Sequence, residues 1–295
     1  MSYVGRFAPS PTGSLHFGSL VAAVASWLDA RAAGGQWLVR IEDVDTPRTV
    51  PGAGGDILRT LEAIGLHWDG EVVRQSERTP LYEAALERLR AAGLVYRCKC
   101  SRKEIADSGL TGIEGAVYPG SCRELRLASS VPGADRMRAQ VETITFEDRV
   151  QGTISHSVAR DIGDFVLKRR DGLHAYQLAV VVDDAEQGIT NVVRGADLLW
   201  STPRQIQLQR HLGLPTPRYL HFPIATNERG EKLSKQTLAP SIDATNAGRA
   251  IADALAFLGQ PDPGTREPAK MLAAARDAWD PSSIIHVAAR PAPRA

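Results

Sequence analysis

Cysteines are few and long apolar runs are missing, and each shortage closes off a class of protein. Three cysteines in 295 residues are too few for a disulfide framework. No stretch reaches the roughly 18 apolar residues that a bilayer-spanning helix needs. The opening MSYVGRF has no basic region followed by an apolar one, so no signal peptide is read there. The expected setting is cytoplasmic, with no membrane partner. Net charge is +1, so no broad field of one sign announces a partner. Neither an internal repeat nor a long low-complexity segment is present.

What is there is ordinary globular material, 43% apolar and 23% charged, with a length prior of about two domains. Residues 3–8 read as a buried strand. Leu20, Val21, Val24, Trp27, Leu28 and Ala32 then recur at helical spacing, and Gly34-Gly35 marks the stop. A strand over 36–43, a helix over 54–66 and a helix over 80–92 follow. Strand, helix, strand, helix predicts α/β architecture, a parallel sheet with crossover helices. From Val95 to about Lys168 the chain turns polar, with strand-like runs at 143–155, and reads as an insertion of different architecture. Asp171-Gly172 signals a hairpin turn. Apolar α/β character resumes over 178–184 and 190–195. A helix over 202–212, a strand over 219–226 and a turn over 227–230 come next. The tail from Ile242 reads as mostly helical, with a loose end over 290–295. Two basic clusters, at 97–103 and 168–170, read first as solvated faces.

Three stretches carry chemistry. In RFAPSPTGSLHFGSL (residues 6–20) a strand gives way to a helix through two prolines and a glycine. A helix start presents unpaired N–H groups and a positive dipole end, a seat for phosphate. Gly18 lets a flat base or ribose lie against the backbone, and His16 can donate toward phosphates. In EKLSKQ (residues 231–236) two lysines flank a serine, a spacing suited to clamping a triphosphate. Finally, Cys98, Cys100 and Cys122 lie within 25 residues, which suggests a shared ligand.

Taken together, HFGS (16–19) and KLSKQ (232–236) resemble the two signatures of class I aminoacyl-tRNA synthetases. The strings PSPTGSLHFG (9–18), LVRIEDVDTPR (38–48), FVLKRRDG (165–172), VVVDD (180–184) and VVRGADLLWSTPRQI (192–206) resemble the catalytic body of glutamyl-tRNA synthetase, in family order. The resemblance spans about residues 1–240. It departs at Phe17, in place of an aliphatic residue, at Ser19, where many class I enzymes have a second histidine, and at Gln236, in place of a serine.

The resemblance implies a Rossmann-type sheet in two halves, 1–94 and 176–240, around an inserted zinc-bearing α+β subdomain, 95–175, and a short helical segment, 241–295. It implies catalytic roles for His16, Gly18, Lys232 and Lys235, with ATP held by His16, Gly18 and Lys235 and Mg accompanying the ATP. L-glutamate would meet Arg6, Ala8, Ser10, Glu42, Tyr176 and Arg194. A γ-carboxylate calls for guanidinium donors, and Arg6 and Arg194 match the clamp positions. Glu42 matches the acid that meets the ammonium. Relatives with the C-x-C…Y-x-x-x-C pattern hold structural zinc, here through Cys98, Cys100, Tyr118 and Cys122.

Only 60 residues follow Lys235, fewer than a separate domain needs, so no anticodon-reading domain is expected. That shape resembles the short branch of the family, the glutamyl-Q tRNA(Asp) synthetases. The branch implies a monomer that activates glutamate with ATP and transfers it to the queuosine wobble base, on the tRNA(Asp) anticodon arm. The alternatives are a ligase charging the tRNA 3′ end and a non-catalytic tRNA-binding paralogue.

Overall fold

The computed structural model describes residues 2–113, 115–227, 229–233 and 242–292. Lys235 and Gln236 lie outside the described residues. In chain order the elements are β1 (Val4–Phe7), α1 (Phe17–Ala32), β2 (Gln36–Ile41), α2 (Ala53–Ala63), β3 (Val73–Arg74), α3 (Thr79–Ala91), β4 (Val95–Cys98), α4 (Arg102–Ala106), β5 (Thr111–Gly112), β6 (Gly115–Ala116) and β7 (Ala134–Met137). There follow β8 (Thr143–Asp148), β9 (Gly152–Ser157), α5 (Val158–Asp161), β10 (Phe165–Lys168), α6 (Tyr176–Glu186), β11 (Asn191–Gly195), α7 (Ser201–Leu212), β12 (Arg218–Phe222), β13 (Ile224–Thr226), α8 (Ala247–Phe257), α9 (Pro268–Asp277) and β14 (Ala289–Pro291).

Strands β1, β2 and β3 pair in parallel, as do β11 and β12. The two sets meet where the Thr190 N–H donates to the Val4 carbonyl at 2.9 Å. The parallel halves therefore come from opposite ends of a long intervening segment. From within that segment, the β8–β9 hairpin joins the sheet through a parallel contact of β8 with β12 at Asp148 and Tyr219. A separate antiparallel sheet, β10-β7-β4, carries the cysteine-bearing region.

Helix α1 is the central post. Leu20, Val21, Val24 and Leu28 are fully buried, and each contributes about 1.5–3 kcal/mol by leaving water. They pack with β1, β2, α2, α8 and α9 in one core. A second core joins α3, α6, α7 and β11.

The stretch 178–184 is helical, inside α6, because two aspartates follow its valines on a face that meets arginines. The run expected as one strand over 219–226 divides at Pro223, which cannot donate to a ladder. Its second part, β13, pairs in parallel with β14. The end expected to be loose is therefore a strand over 289–291. Arg290 fixes it, donating to the Phe257 carbonyl at 2.7 Å with its guanidinium over the Phe257 ring. The other edge of β13 holds the lysine stretch. Thr226 bridges Lys232, and the Leu233 N–H donates to the Ala225 carbonyl at 2.8 Å.

Three residues of the basic clusters are fastened by ion pairs. Arg97 pairs with Asp135, Lys168 with Glu83, and Arg169 with Asp45 and Asp171. Lys99, Arg102 and Lys103 are exposed. No helix among the described residues is long and apolar enough to cross a membrane.

Candidate active site

Strands β1 and β11 end side by side at a cleft of about 950 Å³. Arg6, Ala8, Ser10, His16, Gly18, Glu42, Tyr176, Arg194 and Lys232 all line it, so every candidate of the described residues, apart from the cysteine set, converges there. The turn after β1 is pinned by backbone bonds. Glu42 N–H donates to the Pro9 carbonyl and Val50 N–H to the Pro11 carbonyl, each at 2.9 Å.

His16 is the N-cap of α1, and its Nδ1 accepts from the Ser19 N–H at 3.4 Å, with the Ser19 hydroxyl 3.1 Å from Nε2. A Cβ on Gly18 would press to 3.3 Å from the imidazole and 3.6 Å from the Leu233 carbonyl oxygen. A side chain there would narrow the gap between the helix start and the lysine stretch. On the facing wall Lys232 Nζ lies 2.5 Å from Asp197. A Cβ on Gly195 would fall 2.5 Å from Asp197 Oδ1, so glycine is needed there for the aspartate to approach.

The floor is charged and buried. Arg6 Nε donates to Asp184 at 3.2 Å, and Arg40, fully buried, donates to Asp184 at 2.8 Å and to Glu42 at 3.2 Å. Burial would raise the Asp184 pKa, but the Arg6 and Arg40 guanidiniums outweigh it and hold the carboxyl below its ordinary range. For Glu42 burial wins, and its carboxyl is pushed up despite Arg40 and Arg6. A cation beside Glu42 would reverse that. The adjacent Asp183 is equally enclosed, taking hydrogen bonds from Gln75 (2.8 Å), Arg78 (2.7 Å) and Tyr82 (2.9 Å).

Arg194 is held from behind. Its Nε donates to His221 Nε2 at 2.9 Å, Nη2 to the Thr202 hydroxyl at 2.8 Å and the Leu198 carbonyl at 3.4 Å, and Nη1 to the Tyr176 hydroxyl at 3.3 Å. Four of five N–H groups are thus committed among the described residues. The guanidinium expected to meet a carboxylate is turned mostly inward, leaving one Nη1 proton and the Tyr176 O–H to face a ligand. Burial raises the Tyr176 pKa, so that hydroxyl stays a donor. Arg40, Asp184, His221, Asp148 and Thr202 were given no role by the sequence reading. Their signal was a polar residue inside an apolar run, as with Arg40 in WLVRI and His221 in YLHF.

A second constellation lies in the β10-β7-β4 region. The sulfurs of Cys98, Cys100 and Cys122 lie within 4.8 Å of one another, with Cys100 and Cys122 at 3.6 Å. Sulfurs bound to one tetrahedral zinc sit about 3.8 Å apart for bonds of about 2.3 Å. Tyr118 Oη is 3.9 Å from Cys100 Sγ and accepts from the Cys122 N–H at 2.7 Å. Burial and the facing sulfurs push the Cys100 thiol up to about 11, a repulsion that a cation would relieve.

The family model for class I tRNA synthetases (E and Q), catalytic domain, matches residues 3–251. The chain belongs to this family. It is a ligase-type synthetase with the class I α/β fold. A glutamyl-Q tRNA(Asp) synthetase from Thiobacillus denitrificans is 55% identical over 295 residues, covering 98% of each chain. One from Chromobacterium violaceum is 59% identical, covering 88% of each. Among solved structures, a glutamate-tRNA synthetase from Elizabethkingia anophelis superimposes with a TM-score of 0.81 at 25% identity, covering 98% of this chain and 68% of that one.

Proposed function

We propose that this synthetase activates L-glutamate with ATP and passes it to the queuosine base of tRNA(Asp). The observation that carries this reading is identity above half along nearly the whole chain with relatives named for that reaction, joined to a cleft whose charges suit glutamate. Glu42 would take the ammonium, which restores its carboxylate. Arg194 and Tyr176 would take the γ-carboxylate, and Arg6, fixed by Asp184, adds positive charge to the floor. The α-carboxylate is then left to attack the α-phosphate of ATP. Pyrophosphate departs toward His16, the α1 N-terminus and the lysine stretch, where Lys232 and, by the motif, Lys235 would balance its charge. In the second step a ring hydroxyl of queuosine attacks the acyl carbon and AMP leaves. Magnesium would travel with the ATP phosphates.

Labelled glutamate tests the acceptor. With tRNA(Asp) carrying queuosine, label should enter the anticodon arm even when the 3′ end is blocked, and tRNA lacking queuosine should stay unlabelled. Activation, read by ATP–pyrophosphate exchange, should need no tRNA. Label at the 3′ end of tRNA(Glu) would instead make this an ordinary glutamyl-tRNA ligase. Phosphate contacts give transfer a salt dependence that activation lacks, with Lys99, Arg102 and Lys103 as the exposed cations nearest the cysteine site in sequence.

Cys98, Cys100, Cys122 and Tyr118 fit a closed structural zinc. We expect about one zinc per chain on metal analysis of the purified protein. Because such a metal contributes directly to folding, Cys100→Ser should lower stability and render Cys98 and Cys122 titratable under native conditions. A metal-free preparation with the same stability would remove zinc from the reading.

A further inference from the structure

Arg194 is aimed by a buried chain that neither ATP nor glutamate would touch. Asp148 ends β8 and His221 is the last residue but one of β12, both fully enclosed. Asp148 Oδ2 lies 2.6 Å from His221 Nδ1. Its Oδ1 accepts three backbone N–H groups, from Val150 (3.1 Å), Gln151 (2.8 Å) and His221 itself (3.1 Å). An ionised carboxylate can only accept, so the proton between them belongs to Nδ1. At the other end of the ring, Arg194 Nε can only donate, so Nε2 must present its lone pair at 2.9 Å. Both neighbours dictate the same tautomer. The Thr202 hydroxyl, which accepts from Arg194 Nη2, lies 3.3 Å from the same Nε2.

We propose that Asp148 and His221 are positioning residues for glutamate recognition, holding the imidazole as the Nδ1–H tautomer so that Nε2 fixes the orientation of Arg194. The inference rests on the reading of Arg194 as the partner of the glutamate side chain. If the tautomer were reversed, Nε2–H would face Nε–H. The guanidinium would have to turn, and the remaining Nη1 proton beside Tyr176 would leave the position where a carboxylate could meet it. Burial holds the His221 pKa down at about 4, so the ring is neutral at physiological pH and has a tautomer to choose.

Asp148→Asn is nearly isosteric and reverses the instruction. The carboxamide oxygen can keep the three backbone bonds, while its NH2 faces Nδ1 and demands a lone pair there. That moves the ring proton to Nε2, against Arg194. In ATP–pyrophosphate exchange the glutamate KM should rise about 10- to 100-fold, the span of a lost hydrogen bond to a charged group. The ATP KM should stay within about twofold, a split that general loosening of the fold would not produce. Adding His221→Gln to that variant supplies an amide oxygen near the place of Nε2, without a tautomer, and should recover most of the loss. Nitrogen-15 NMR of histidine-labelled wild-type protein gives a reading independent of activity, with Nδ1 protonated and Nε2 bare at His221. A wild-type glutamate KM in Asp148→Asn, no recovery in the double variant, or a protonated Nε2 in the wild type would each overturn the relay. An unchanged glutamate KM in Arg194→Ala would overturn the assignment of Arg194 instead, and the NMR result would still decide the tautomer.

Discussion

Arg194→Ala is expected to abolish glutamate-dependent pyrophosphate exchange while leaving ATP binding in place. Removing one partner of a buried charge pair costs about 3–5 kcal/mol, or roughly two to three and a half powers of ten in kcat/KM. The side chain meets His221, Thr202, Leu198 and Tyr176 at once, and it lies over the Tyr219 ring. Arg194→Lys should be nearly as poor, because a single ammonium cannot reach those four partners from one stem. Exchange across a glutamate titration, with ATP binding measured separately, checks both variants. A lysine variant that exchanges at near the wild-type rate would sink the pocket assignment.

Asp184→Ala should act on stability as well as activity. It strips Arg6 of its one hydrogen-bonded carboxylate among the described residues and takes from Arg40 the nearest of three paired carboxylates, leaving Glu42 and Asp183. The Arg6 guanidinium then stays buried without a carboxylate partner among the described residues, and the expected loss is about 3–5 kcal/mol in urea unfolding. The pH dependence has a definite sign. Asp184 is held below its ordinary pKa, so its contribution is complete above about 4 and is lost as pH falls from there through the depressed folded value. The wild type should therefore lose stability on acidification over that range more steeply than the variant. A loss below about 1 kcal/mol would show that water reaches Arg6 and replaces the carboxylate.

The elements nearest the opening turn were legible because their signals are local. Apolar spacing and the Gly34-Gly35 stop predict a helix from Gly18 to Ala33, one residue off at each end from α1. The run at 178–184 was harder, since a short apolar stretch suits a strand as well as a buried helix. Only its contact with Arg6 and Arg40 decides which faces the aspartates need. The final strand was invisible for a different reason. Pairing 289–291 with 224–226 is a long-range event, and nothing within RPAPRA encodes its partner. In the site, residues inside recognisable strings could be named by their match, while their supports could not. Asp148 finds His221 from 73 positions away, and Arg40 finds Asp184 from 144. Such pairs are specified by topology, and a single sequence shows only that a polar residue has been placed where an apolar one would be cheaper.

The strand at 289–291 matters to anyone handling the protein. Strand β13 is a narrow ribbon with β14 on one edge and the Lys232 stretch on the other. Cleavage within 289–291 would be felt one strand away, at the edge that holds Lys232 and Leu233. A preparation nicked there would pass a test of foldedness and still turn over poorly, so the strand is worth checking by mass before activity is compared between batches.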